Sequence, residues 1–294
     1  MTDSAIHQLV ADFTNPIADI IAAEHQDPEW LVDGLLLQGV IQCLAGLPNV
    51  GKSYISYTLG LALASGLSAL GGIIPAGDPK RVLYFDQENA EQDRNRYLTQ
   101  CYWGLERENS HEPDIALLHE NFIPVAHLLG CSEWEEIAAA FIDQFKPHLI
   151  VYDTATPCFN VDSENDNSEA SRILNAIRRL NRRTNPVSTS LVLRHELQMQ
   201  NPVKGGRRQM RGAKTWLGST DGTWFQVRLP GRPRNEGFLT RIEPDKTRAY
   251  GLQQSIFITP EWTKADKSGL YLHGSYKASK EHKRKLAEEG EDDE

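Results

Sequence analysis

Gly46-Leu47-Pro48-Asn49-Val50-Gly51-Lys52-Ser53 is a complete G-x-x-x-x-G-K-S phosphate-binding loop, and its neighbours supply the context that such a loop needs. The apolar run Gly39-Val-Ile-Gln-Cys-Leu-Ala45 before it has the character of a strand, and Tyr54 to Ala64 after it has that of a helix. Glycines let the backbone curl until successive N–H groups face phosphate oxygens. Lys52 reaches the β- and γ-phosphates, the Ser53 hydroxyl is a ligand for Mg²⁺, and the helix adds its positive dipole end. The expected nucleotide contacts are therefore Gly46, Asn49, Val50, Gly51, Lys52, Ser53 and Tyr54, with ATP and Mg²⁺ as what they hold.

Working outward, Arg81-Val-Leu-Tyr-Phe-Asp86 reads as a compact strand with Gln87-Glu88-Asn89 at its end, followed by a helix over Ala90–Trp103. A less regular region leads to Trp134–Phe145, an amphipathic helix whose apolar face is expected to be Ile137, Phe141, Ile142 and Phe145. Lys146-Pro147 ends it, and His148-Leu-Ile-Val-Tyr-Asp153 is a buried strand with an acid at its C-terminal end. Asp153 stands where a nucleotide-binding fold places a second acid that acts on Mg²⁺ with Ser53. Thr154–Ser171 reads as a polar loop, Arg172–Arg183 as a helix with Ile173, Ile177 and Leu180 inward, and Ser188–His195 as a strand. The runs Thr223–Arg228, Gly237–Ile242 and Gln254–Thr259 look like antiparallel strands that finish the sheet. Alternating strands and helices predict an α/β fold, a mainly parallel sheet with helices on both faces.

The bulk properties set the limits. The chain of 294 residues, 40% hydrophobic and 24% charged, has the composition of a globular domain, and its net charge of −9 does not by itself suggest a nucleic-acid binder. The distribution of charge points the other way. Between Arg172 and Lys214 there are eleven lysines or arginines against one acid, Glu196, with the densest run at Lys204-Gly-Gly-Arg-Arg-Gln-Met-Arg211-Gly212. Cys43, Cys101, Cys131 and Cys158 have no metal-ligand spacing, which suits buried thiols in a reducing, cytoplasmic setting. Tyr54–Gly77 carries no charged residue, but its glycines and its place after the phosphate loop argue for a buried helix and loop and not for a membrane span. Residues 1–27 read as an N-terminal arm, 28–263 as the main domain, and 264–294 as a charged, disordered tail.

The order of these motifs resembles the RecA-like ATPases, and most closely the RepA-type hexameric replicative helicases and related phage and plasmid AAA-type ATPases. The resemblance runs from Trp30-Leu-Val-Asp-Gly-Leu-Leu through the phosphate loop, Val82–Glu88, Ile150–Asp153 and Leu191–His195 to Arg211-Gly212. It implies a RecA-like sheet with C-terminal antiparallel strands, and catalytic roles for Lys52, Glu88, His195 and Arg211. Glu88 matches the carboxylate that polarises the attacking water, with Asp86 as the competing candidate. His195 matches a strand-end sensor of the γ-phosphate. Arg211 resembles an arginine finger entering the next subunit's site, with Arg207, Arg208 and Lys214 as alternatives, because Ala213-Lys214 departs from the family's pattern after Arg-Gly. The resemblance further implies a homo-oligomeric, hexameric ring that hydrolyses ATP and contacts single-stranded DNA through 204–214. The alternative is an ATPase switch that controls assembly or partner recruitment.

Overall fold

The structure is a computed structural model and describes residues 29–126, 132–161, 163, 165–196, 214–229, 239–247, 254–263, 268–277 and 283. The expected arm at 1–27 and the finger candidates Arg207, Arg208 and Arg211 lie outside the described residues.

The chain enters through a small antiparallel hairpin of β1 (Trp30–Val32) and β2 (Leu36–Leu37). It then runs through β3 (Ile41–Gly46), α1 (Lys52–Ser65), β4 (Val82–Asp86), α2 (Glu91–Asn109), α3 (Ile115–Asn121), β5 (Phe122–Ala126), α4 (Trp134–Phe145) and β6 (Leu149–Asp153). There follow α5 (Ala155–Cys158), α6 (Asn167–Asn181), β7 (Thr189–His195), α7 (Lys214–Ser219), β8 (Gly222–Arg228), β9 (Thr240–Thr247), β10 (Ile256–Trp262) and β11 (Leu270–Ser275). The main sheet has nine strands in the order β11-β10-β9-β8-β3-β7-β6-β4-β5, parallel from β8 to β5 and antiparallel from β9 to β11.

Two apolar layers explain why the parallel strands read as continuous hydrophobic runs. In β3 the alternation sends Leu44 to one face, where it packs with α1, α2 and the hairpin, and Ile41, Cys43 and Ala45 to the other, where they pack with α4, α6 and Trp216. The sheet is thus covered on both sides, as the pattern predicts. No helix among the described residues is long and apolar enough to cross a membrane, and Gly66, at φ 72°, ends α1 in a left-handed cap.

Several local expectations shift. Strand β8 is parallel to β3, so the antiparallel section begins one strand later than expected, at β9. Helix α2 continues to Asn109, and the region expected to be irregular holds α3 and β5. Helix α6 starts at Asn167 because the Asp166 carboxylate accepts the Ser168 N–H at 2.7 Å and caps the turn. On α4 the buried row is Trp134, Ala138 and Ile142, so of the expected face only Ile142 is fully buried, and Ile137, Phe141 and Phe145 flank it. Strand β11 lies inside the stretch expected to be a tail from residue 264, since Leu270, Leu272 and Gly274 alternate inward and pair that segment with β10.

Candidate nucleotide-binding site

Parallel pairing brings the strand-end residues to one rim. Gly46 is in register with His195, and Asp86 with Asp153. The Gln87 N–H donates to the Asp153 carbonyl at 2.8 Å, and the Glu196 N–H to the Gly46 carbonyl at 3.0 Å, so these ends are tied edge to edge. Because β7 lies between β3 and β6, His195 stands between the phosphate loop and the two acids.

The loop itself needs its glycines. Gly51 has φ 97°, and a Cβ on Gly46 would stand 2.6 Å from the Gln226 carbonyl oxygen and 2.9 Å from Val50 Cγ2. Asn49, at φ 63°, supplies the other left-handed turn. Gln226 on β8 braces the loop from outside, its amide donating to the Val50 carbonyl at 2.9 Å. Lys52 is 6% exposed and its Nζ donates to the Gly46 and Leu47 carbonyls, both at 3.1 Å. Burial lowers its pKa, opposed by the negative charges of Glu88, Asp153 and Glu196 that it faces. Tyr54 turns its hydroxyl to Gln100 on α2 at 2.6 Å, which leaves its backbone N–H as its offer to a phosphate.

The rival acids prove to be held differently. Asp86 is 1% exposed and accepts from the Tyr57 hydroxyl and from Asn89, whose N–H and side-chain amide both reach Oδ1 at 3.0 Å. Its lone pairs serve the fold. Glu88 keeps a side chain 43% exposed, with Oε1 at 3.4 Å from His195 Nε2. A hydrogen bond from His195 holds its carboxyl below the ordinary range against the effect of burial, with smaller help from Thr154 and Lys52. The structure therefore brings Lys52, Glu88 and His195 together.

Asp153 is fully buried, and burial together with the neighbouring Asp86 charge pushes it up to about 7, opposed by hydrogen bonds from Tyr84 and Ser53. Its Oδ2 accepts from the Tyr84 hydroxyl at 2.8 Å, while Oδ1 is buried and has no hydrogen-bond partner among the described residues. An orphaned carboxylate oxygen beside a serine hydroxyl suits a small hard cation, and Mg²⁺ takes few protein ligands because phosphates and water complete its shell. Ser53 and Asp153 would hold it. Among the described residues no cluster of three or more acidic, histidine or cysteine side chains forms a separate metal centre.

Sequence reasoning missed Tyr57, Tyr84, Gln226 and the Arg194–Trp216 stack. Tyr84 had a local signal, since it shares a sheet face with Asp86 two residues on. Arg194 neighbours His195 but lays its guanidinium over Trp216, 4.1 Å from the ring centroid. Helix α7 is thereby fixed at the end of β7. Of the basic stretch, Arg179 pairs with Glu135 at 2.8 Å and Arg183 with Asp143, so part of that charge is answered by α4. Lys214, an alternative finger, is exposed at the start of α7.

A phosphate loop at a strand-to-helix turn, two strand-end acids and a parallel sheet define a P-loop ATPase. A family model described as the AAA domain matches residues 10–198, and the chain belongs to that family. A search of curated proteins returned no match.

Proposed function

We propose that the protein is an ATP-hydrolysing, ring-forming motor that acts on single-stranded DNA, with replicative DNA unwinding as its activity. The observation that carries this reading is the Glu88–His195 contact, because His195 ends β7 and the chain continues directly into the basic segment that includes Lys204–Lys214. A group that touches the water-activating carboxylate and opens a DNA-binding segment is placed to report the state of the nucleotide to the DNA.

In the reaction, water attacks the γ-phosphorus, Glu88 takes a proton from it, and the bond to ADP breaks. Lys52 and the loop amides hold the β- and γ-phosphates. Ser53 and Asp153 would hold Mg²⁺, which would supply positive charge against the phosphates. Arg211 of a neighbouring subunit completes the site, with Arg207, Arg208 and Lys214 as alternatives; Arg194 is already stacked on Trp216.

The test combines ATP turnover with and without single-stranded DNA, the mass of the assembled protein, and unwinding of a forked duplex. Stimulated turnover, a hexameric mass and strand separation are expected. The second reading, an ATPase switch that governs assembly or partner recruitment, draws support from the arginines that α4 neutralises. Turnover stimulated by single strands without unwinding would favour it.

A further inference from the structure

Between the two expected Mg²⁺ ligands stand two linked hydroxyls, one on α1 and one on β4. The Ser56 hydroxyl on α1 lies 3.0 Å from the Ser53 carbonyl and 2.7 Å from the Tyr84 hydroxyl on β4, and Tyr84 lies 2.8 Å from Asp153 Oδ2 on β6. Ser56 and Tyr84 are both 0% exposed. Tyr84 also stacks flat on Tyr57, with ring centroids 4.2 Å apart and planes 4° apart, so its ring has little freedom to turn.

From this geometry we infer that Tyr84 is a positioning residue for metal binding: it holds one oxygen of Asp153 so that the other stays available to Mg²⁺, and through Ser56 it sets that carboxylate against the turn carrying Ser53. Proton counting supports the direction. Two hydroxyl protons serve three contacts, so with Asp153 ionised Tyr84 donates to the carboxylate, and the Ser56 proton goes either to Tyr84 or to the Ser53 carbonyl. With Oδ2 so engaged, the carboxylate is held in place and Oδ1 is the oxygen that has no hydrogen-bond partner among the described residues. Tyr57 makes the parallel bond to Asp86, which has no orphaned oxygen. The two stacked tyrosines thus sort two adjacent acids, one for the fold and one for the metal.

The inference rests on the nucleotide-site reading and is independent of DNA. The experiment uses the full-length protein with Mn²⁺ as a paramagnetic probe, titrated in the presence of a saturating non-hydrolysable ATP analogue, and measures analogue affinity separately in EDTA. Tyr84→Phe, which keeps the stacked ring, is expected to weaken Mn²⁺ binding about tenfold, the effect of losing one hydrogen bond to a charged group. Metal-free analogue affinity stays within about twofold of wild type, and Tyr57→Phe leaves Mn²⁺ affinity unchanged. Unaltered Mn²⁺ affinity in Tyr84→Phe overturns the proposal, and so does an equal loss of metal-free analogue binding, which would mark a purely structural role. If Tyr84→Phe does not fold, Ser56→Ala carries the test, and wild-type Mn²⁺ affinity in that variant overturns it. Absence of metal-dependent analogue binding in the wild-type protein would overturn the site reading and this inference together.

Discussion

Asp86 and Glu88 stand two residues apart at the end of one strand, yet Asp86 is turned into the fold by Tyr57 and Asn89 while Glu88 faces His195. Replacing each in turn separates the two roles. Glu88→Gln is expected to lower ATP turnover by about 10²–10⁴-fold with nucleotide affinity retained, because it removes the proton acceptor and little else. Asp86→Ala is expected to cost about 1–3 kcal/mol of folding stability in urea titration, because it strands the buried Tyr57 hydroxyl. A Glu88→Gln variant with wild-type turnover would transfer the base role elsewhere.

The hydrogen bond from His195 does most to lower the Glu88 pKa, so the acid limb of the turnover profile reads their contact. With His195 present, Glu88 ionises below its ordinary 4.5 and stays competent throughout neutral pH. Removing the histidine lets the carboxyl titrate upward. His195→Ala is therefore expected to move the acid limb to higher pH, measured as kcat against pH under saturating ATP, beyond any uniform loss of rate. An unmoved limb would mean that the contact does not govern the base.

Gly46 tests the fit of the phosphate loop against β8. A methyl group there meets the Gln226 carbonyl oxygen at 2.6 Å, and backbone on a central strand has nowhere to go. Gly46→Ala is expected to cost about 1–3 kcal/mol of stability and to displace the loop amides. Nucleotide binding by calorimetry should fall at least as far as in Lys52→Ala, which removes the cation and its hydrogen bonds to the Gly46 and Leu47 carbonyls.

Burial of the thiols is read by chemical labelling. Cys43, Cys101 and Cys158 are buried, and burial pushes the Cys101 thiol up to about 12, so its thiolate is scarce at pH 8. Native protein treated with a thiol reagent at that pH is expected to react at no more than one cysteine, against all four in urea. Rapid labelling of two or more native thiols would contradict the packing of at least one apolar layer.

What was legible beforehand was local. A phosphate loop, a strand-end acid and a period of alternation are each written in a few consecutive residues, so β3, β4, β6 and β7 and the candidate Asp153 could be named in advance, while Glu88 and His195 came from the family resemblance. What escaped depends on distant partners. Nothing within Thr223–Arg228 tells that β8 runs parallel to β3, since that follows from α7 returning the chain to the far end of the sheet. What sets Asp86 apart from Glu88 is its bond to Tyr57, one helical turn beyond Ser53, and the Tyr84–Asp153 bond spans 69 residues. Strand β11 was hidden because its inward residues, Leu270, Leu272 and Gly274, sit in a short uncharged run flanked by charged residues that read as tail.

The same long-range pairing divides the basic stretch into two populations, and salt dependence distinguishes them. Arg179 and Arg183 already face Glu135 and Asp143 on α4, so in a complex with single-stranded DNA they would release few counterions. The segment around Lys204, Arg207 and Arg208 carries no acidic residue in sequence from Gln198 to Gly212, so the segment itself offers these cations no counter-charge. Arg207→Ala and Arg208→Ala are each expected to reduce the slope of log affinity against log salt by about 0.7, the single-strand increment per phosphate contact. Arg179→Ala and Arg183→Ala should leave that slope unchanged, and their exposed pairs contribute little to stability. A slope lost from the helix arginines and kept by the loop arginines would place the DNA on α6, and the Glu88–His195 contact would then have no direct route to it.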